Sequence, residues 1–509
     1  MSKLKWYAKP VYLLVSLALV LSLGIVAAVP LSISAAPPEE IDDAIDSGVA
    51  WLVDQQNDDG SWGEIYVWDS EEHQNWPVAK TALAVLKLEE HAVDSQYGYG
   101  LSSPLDPTYV YHDNVVAGLD YLMDNAYDEE IFLQTHDDSN DDPDTNGNDI
   151  GVYFVSPEWG AIVYETSIAI MALSASRAPD LYGDVVQDAV DWLAWAQTDG
   201  NDEWWNGRGG WNYEAMDNAD GRSDQSNSGY VTLGLAYAES PAYGFDSTIP
   251  DFVRSELNIW IDYIQNDVDG DDNDGGSGYD IPDWCNVLRT GNLLQQMAFY
   301  GDPVGATRVQ DAIDYIVRHW DDPNPDPGWR GEPASYQATF TVMKGLESFG
   351  IDKIDDIDWF DEISDVLVAQ QNDNGSWPWC DWDDGEQILS TEWALLTLQK
   401  VVPPITATVR IEPETLNLNS KGVLTAFITL PEGLNVADID LDTVECEGAP
   451  AVRGHVAGGH TFIAKFNRQD LVDVPTGDEV TLTVTGKLVT GTPFAGSDTI
   501  RVIDKGGKK

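Results

Sequence analysis

At 509 residues and 43% hydrophobic composition, the chain is long enough to bury two or three separate cores. It carries 88 acidic against 26 basic residues, a formal charge of −62, and that field excludes nucleic acid and anionic membranes as partners. Three cysteines, Cys285, Cys380 and Cys446, are too few for a disulfide scaffold.

The N-terminus reads as an export signal over 1–36. Lys3, Lys5 and Lys9 precede an uncharged apolar run from Val11 to Val29, followed by Ser34-Ala35-Ala36. That run of about 20 residues also meets the length of a membrane anchor left uncleaved. Either way the rest of the chain is expected to be secreted or displayed at the cell surface.

From 41 to 402 the pattern has helical period and repeats. Gln55-Gln56-Asn57-Asp58-Asp59-Gly60-Ser61-Trp62 returns as Gln370-Gln371-Asn372-Asp373-Asn374-Gly375-Ser376-Trp377. Each copy follows an amphipathic helix, 41–56 or 359–371, and precedes a more apolar one. First helices of the same kind are expected at 112–127, 182–197, 248–266 and 305–320. Second helices are expected at 75–89, 160–176, 225–239, 284–300, 334–349 and 387–401. Exposed and buried helices in strict alternation predict a mainly α fold, an α6/α6 toroid of six helical hairpins whose closure dispenses with end caps. The glycine of each loop permits a tight turn and the indole covers the hairpin end, so these Gln and Trp residues are read as structural staples.

These Gln and Gly-Ser-Trp loops, with Gly209-Gly210-Trp211-Asn212-Tyr213, Ser223 to Tyr230 and Gly328-Trp329, resemble the prenyltransferase and squalene-oxidase repeat family over roughly 41–401. That family includes terpenoid cyclases and protein prenyltransferases. The resemblance implies the toroid; a shared fold does not carry a reaction with it.

Beyond Pro403-Pro404 the period becomes two, as in Leu424 to Leu430 and Val480 to Thr485. Some seven such runs over 405–509 predict a small all-β, immunoglobulin-like sandwich, suited to attachment at the cell envelope.

In a toroid the loops entering the inner helices surround one mouth of a central cavity. Candidate ligand-binding residues there are His73, Trp76, Tyr164, Asn227, Asp283, Cys285, Tyr336 and Gln337; candidate acids for catalysis are Asp224, Glu165, Glu386 and Glu392. The resemblance implies an Asp-x-Asp-Asp proton donor in a cyclase; Asp224-Gln225-Ser226-Asn227 keeps only its first acid. It implies a zinc site in a prenyltransferase; Asp283-Trp284-Cys285 supplies one half, but the later histidine of the toroid, His319, ends an outer helix, so an N-cap followed by a buried thiol is the better reading. For a polysaccharide lyase or hydrolase, Glu165 with Glu386 or Glu392 would be the acid and base.

Two loops crowd hard oxygen ligands as calcium sites do: Asp267, Asp269, Asp271 and Asp274 in one, Asp138, Asp142, Asp144 and Asp149 in the other. Neither fits the EF-hand spacing, and a solvated acidic loop is the competing reading. The expected function is an exported toroid holding a ligand or partner in its cavity and at its rim. A polysaccharide-active enzyme and a terpenoid-cyclase or prenyltransferase type of enzyme are the alternatives. A closed apolar chamber would point to an apolar isoprenoid ligand, and an open surface crossed by aromatics to polysaccharide.

Overall fold

The structure is a computed structural model that describes residues 35–504, apart from 65, 69–70, 95, 135–140, 159, 201–205, 216–220, 325, 381–386, 402–403, 431–433, 473 and 490–492. Residues 1–34 of the expected export signal, Glu386 and Asp138 therefore lie outside the described residues. None of the described helices is long and apolar enough to cross a membrane.

Twelve α-helices alternate in character along the described chain. The outer ones are α1 (Pro38–Asp54), α3 (His112–Asp124), α5 (Pro179–Trp195), α7 (Asp251–Ile264), α9 (Thr307–Arg318) and α11 (Trp359–Gln370). They bury one stripe each, as α9 does with Val309, Ala312, Ile313 and Ile316. The inner ones are α2 (Pro77–Val93), α4 (Ile162–Ala175), α6 (Gln225–Glu239), α8 (Val287–Tyr300), α10 (Tyr336–Ser348) and α12 (Ile388–Gln399). In α12 every residue is buried, polar ones included. Each inner helix packs on the next, and α12 packs on both α2 and α1, so the double ring is closed.

The repeated loops do the fastening. Gln56 Nε2 donates to the carbonyl of Gly60 in its own loop and to that of Asn114 on α3, both at 3.0 Å. Gln197 reaches Gly209 and Val253 on α7, and Gln265 reaches Gly275 and Arg308 on α9. The last copy, Gln371, reaches Gly375 and returns to Ala44 on α1 at 2.8 Å, which ties the end of the ring to its start. The indoles of Trp62, Trp211 and Trp377 donate to Leu52, Leu193 and Leu367, while their backbone N–H groups donate to Thr81, Ser228 and Thr391 on the following inner helix. The staple reading of these residues is the observed one.

Gly375 has φ 95° and approaches α1 so closely that a Cβ would stand 2.3 Å from the Ser47 carbonyl oxygen. Gly375→Ala is thus expected to destabilise the ring closure by well over about 1 kcal/mol, read as a lower denaturant midpoint. A neutral outcome would mean that the α11–α1 seam is loose.

Helices stop short of the predicted limits where the chain is needed elsewhere. α3 ends at Asp124 because 126–130 pairs as strand β3 (Ala126–Glu130) with β4 (Ile150–Phe154) against α5. Short hairpins β1 (Tyr66–Trp68) with β2 (Glu71–His73), and β5 (Lys353–Ile354) with β6 (Ile357–Asp358), were equally unmarked by periodicity.

The C-terminal strands are β7 (Ile405–Thr406), β8 (Thr408–Glu412), β9 (Thr415–Asn417), β10 (Val423–Thr429), β11 (Ile439–Cys446), β12 (Ala449–Ala457), β13 (Thr461–Asn467), β14 (Gly477–Leu488) and β15 (Pro493–Ile503). They enclose a core of their own, separate from that of the toroid. Two separate sheets were expected, but one hydrogen-bonded path runs β7-β15-β14-β11-β12-β13-β10-β8, with β9 also on β15. Only the tight turn between Cys446 and Ala449 joins its two halves at β11 and β12, so the sheet curls until β7, β8 and β9 nearly close it. This domain meets the toroid at a 3-10 turn, Pro241–Tyr243, which packs on β14 and β15.

Candidate functional site

Hydrogen bonds from backbone N–H groups join the loops that enter successive inner helices from α2 to α10. The N–H of Val78 on α2 donates to Ser156 in the loop before α4, and that of Val163 on α4 donates to Tyr213 before α6. Gln225 on α6 then donates to Tyr279 before α8, and Val287 on α8 to Pro327 before α10. The starts of α2, α4, α6 and α8 are thereby satisfied by the next loop along.

Below the mouth the bore is bridged rather than open. Tyr230 of α6 reaches across to the diametrically opposite α12, where the Trp393 indole donates to its hydroxyl at 3.0 Å. Tyr164 packs on the Tyr230 ring at 4.4 Å, Phe340 of α10 stacks on the same ring at 6.2 Å, and Gln337 donates to the Tyr164 hydroxyl. A second bridge lies nearer the helix C-termini. The Tyr237 hydroxyl of α6 donates to Glu90 of α2 at 2.9 Å and accepts from Lys344 of α10 at 3.1 Å; the same ammonium donates to the Val401 carbonyl at 2.5 Å. The expected central cavity is thus crossed twice by side chains.

Two of the candidate acids, Asp224 and Glu165, make hydrogen bonds to the scaffold. Asp224 caps α6, accepting from the backbone and side chain of Asn227 and from Ser226. Glu165 is fully buried and accepts from the backbone N–H and the hydroxyl of Ser156, which ties α4 to the start of α2. Burial pushes the Glu165 carboxyl up to about 7, against the Ser156 hydrogen bonds that favour its charge. Because the folded group holds its proton more tightly than the unfolded one, its contribution is complete below pH about 4.5 and is lost as pH rises through about 7. The wild type should therefore lose stability relative to Glu165→Gln across that window, at no more than about 1.4 kcal/mol per pH unit. Parallel pH–stability curves would show that the buried carboxylate is not the titrating group. Glu392 is buried on α12 beside Tyr230.

Several candidates are placed apart. Tyr336 turns outward, its hydroxyl donating to Gln370 of α11. Asp283 is exposed, and the cap of α8 is Asn286, whose side chain accepts from Arg289 N–H. The helix begins later than expected because Trp284 has a left-handed backbone, φ 57°. Cys285 is buried, and burial pushes its thiol up to about 12. His319 instead bridges Asp322 and the carbonyl of Asp272. His73 pairs with Glu158 at 2.6 Å at the edge of the mouth.

The acidic loops turn many of their oxygens onto their own backbone. Asp271 accepts from Asn273, Asp274 from Gly270, and Asp142 from Asp144. Asp144 works against a burial cost, with N–H donors from Asp149, Gly147, Asn148 and Asn146 holding its carboxyl below the usual range. Asp149 is left-handed at φ 58°, while Asp267 and Asp269 are exposed. Among the described residues, no three or more His, Cys, Asp or Glu side chains gather as a metal site would require.

Several of the loops that enter the inner helices carry exposed or half-buried aromatic rings. Trp284 is 81% exposed before α8, Trp379 is 55% exposed in the loop after α11, and Tyr213 is 42% exposed before α6. Trp76, half-buried, is the N-cap of α2 with φ 47° and ψ 51°. Trp76 and Trp284 thus both hold the left-handed conformation that bulky side chains avoid. Periodicity gave no sign of these rings. Trp76 is marked by its place at an inner-helix start; the further signal is the Trp-Cys pairs at 284–285 and 379–380, each an indole outside and a buried thiol behind.

No family model and no curated protein matches the chain. Among solved structures it is similar to the apo type II terpene cyclase MstE from Scytonema, at 14% identity and TM-score 0.42, over 72% of this chain and 98% of that one. It is similar also to a single-residue variant of MstE in complex with the substrate geranylgeranyl dihydroxybenzoate, at 12% identity and TM-score 0.41, over 71% and 97%.

Proposed function

We propose that this chain is an exported carbohydrate-binding protein that holds a polysaccharide across the mouth of its toroid. The carrying observation is Trp284, a large apolar ring exposed to solvent on a backbone conformation that costs about 1–2 kcal/mol for a residue with a Cβ. The turn at Trp284 sets the Asn286 cap of α8, but burying the indole is no part of that role, and strain of this kind collects where a side chain has to be presented. Trp379 and Tyr213 add further flat faces, and sugar rings offer apolar C–H faces to stack on them while their hydroxyls keep to water.

The bridged bore supports the polysaccharide reading over an isoprenoid one, since a long apolar chain needs an enclosed chamber and Tyr230 with Trp393 occupies the middle of this one. Export follows from Lys3, Lys5 and Lys9 ahead of the apolar run. The β-domain, seated on the Pro241–Tyr243 turn away from the mouth, suits attachment at the envelope with the mouth facing outward.

Binding to a panel of immobilised polysaccharides and isoprenoids tests the function. Retention by one or more glycans is the expected result; retention by isoprenoids alone would overturn it. On their sequence alone, and although their described side chains do not gather in threes, calcium is proposed as a stabiliser of the 142–149 and 267–274 loops. Adding calcium after chelation should raise the unfolding midpoint by mass action, and an unchanged midpoint would leave those carboxylates as a solvated surface.

A further inference from the structure

Beside Trp284 lies a polar cluster that the stacking surface alone does not explain. The guanidiniums of Arg222 and Arg289 both stand over the Tyr279 ring, each 5.3 Å from its centroid. The Tyr279 hydroxyl is held by that of Tyr213 at 2.9 Å, and its carbonyl accepts from Gln225 at the start of α6. The ring is therefore a fixed base. Arg222 pairs with Asp280 at 2.9 Å, and Arg289 donates to the Trp284 carbonyl at 2.6 Å, which links the cluster to the exposed indole.

Resting on the carbohydrate reading above, we infer that Arg222 and Asp280, positioned by Tyr279, form a subsite that reads the hydroxyls of a neutral sugar stacked on Trp284. A guanidinium over an aromatic face keeps its donors in its own plane, directed sideways. The carboxylate next to it supplies acceptors. Vicinal hydroxyls both donate and accept, so they match a donor and an acceptor set side by side, and both groups remain within reach of solvent, at 40% and 20% side-chain exposure.

The charge of the sugar follows from the surroundings. Asp280, the exposed Asp283 and Glu214, and the buried Asp224 outnumber the two arginines, within a chain of net charge −62. A uronate would meet a repulsive field both at long range and at the subsite.

The test titrates the full mature protein with neutral and uronate oligosaccharides of equal length, in the wild type and in Trp284→Ala, Arg222→Gln and Asp280→Asn. The wild type is expected to bind the neutral series at least tenfold more tightly. Trp284→Ala should weaken every glycan alike. Arg222→Gln should weaken the neutral series, and Asp280→Asn should narrow the neutral-to-uronate ratio. If Trp284→Ala weakens binding while neither subsite variant changes affinity or ratio, or if the wild type prefers uronates, the subsite is wrong and the rim stands. If Trp284→Ala changes nothing, or no glycan binds, the rim falls and the subsite with it.

Discussion

Trp284→Gly is expected to abolish most glycan binding without lowering the stability of the fold. An indole that is four-fifths exposed contributes little to the core. Glycine adopts φ 57° freely, so the substitution relieves about 1–2 kcal/mol of backbone strain and returns about 0.5–1 kcal/mol of that through the greater freedom of the unfolded chain. The net effect on stability is near zero or slightly favourable. Loss of a stacking platform is expected to cost about 2 kcal/mol of binding, some thirtyfold in Kd, and adding Trp379→Ala should weaken binding further. Affinity by titration and stability by denaturant unfolding, measured on the same samples, separate the two effects. A variant that lost stability and binding together would show Trp284 to be a packing residue.

The second large effect lies at the lower bridge. Lys344 is fully buried, and its ammonium is the counter-charge for Glu90, whose carboxyl burial pushes up while Lys344 and Lys87 draw it back. Lys344→Met leaves Glu90 and the Tyr237 hydroxyl without that cation and the Val401 carbonyl without a donor. Removing one partner of a buried pair costs about 3–5 kcal/mol. Replacing Glu90 with glutamine as well should recover part of that loss, because the carboxylate that lost its Lys344 partner is then gone, while Lys87 keeps Asp94 and Asp46 as counter-charges. A cycle of the two single variants and the double variant measures the coupling. Strictly additive losses would mean that the two groups act independently and that the bridge is not one unit.

The two bridges also mark where the sequence stops being informative. The Gln and Trp staples were legible because their hydrogen bonds recur at short, fixed separations, such as Gln56 to Gly60 and Trp62 to Leu52, so the repeat in sequence is a repeat in bonding. Ring closure was legible for the same reason, since the final copy has the same donors as the first. The contents of the bore were not. Which residue of α6 meets α12 depends on the rotation of six helices about their axes, and the segments holding Tyr230 and Trp393 lie 163 positions apart. Lysines at 87 and 344 inside otherwise buried helices were the available signal for the lower bridge, because a buried ammonium needs a partner.

The mouth shows the same division. Asp224 was recognisable as a helix start, and Asn227 and Ser226 indeed meet it there. Asp283 looked similar, but the left-handed turn at Trp284 moves the cap to Asn286 and leaves the acid in solvent. A single positive φ, invisible to composition and period, thus converts an apparent zinc half-site into an exposed tryptophan backed by a buried thiol. In the β-domain, alternation identified strands well, as in β8 with Val409 and Ile411 inward, yet which strands pair across the tight Cys446–Ala449 turn is set by long-range register.

The most direct measurement is the hydrogen-exchange footprint of a saturating oligosaccharide on the mature protein. The account predicts protection confined to the mouth, in the segments around Trp76, Tyr213, Tyr279 to Asn286 and Trp377 to Cys380, with the bore-lining helices and the β-domain unchanged. Protection centred on the β-domain, or on the bore below Tyr230 and Trp393, would contradict it.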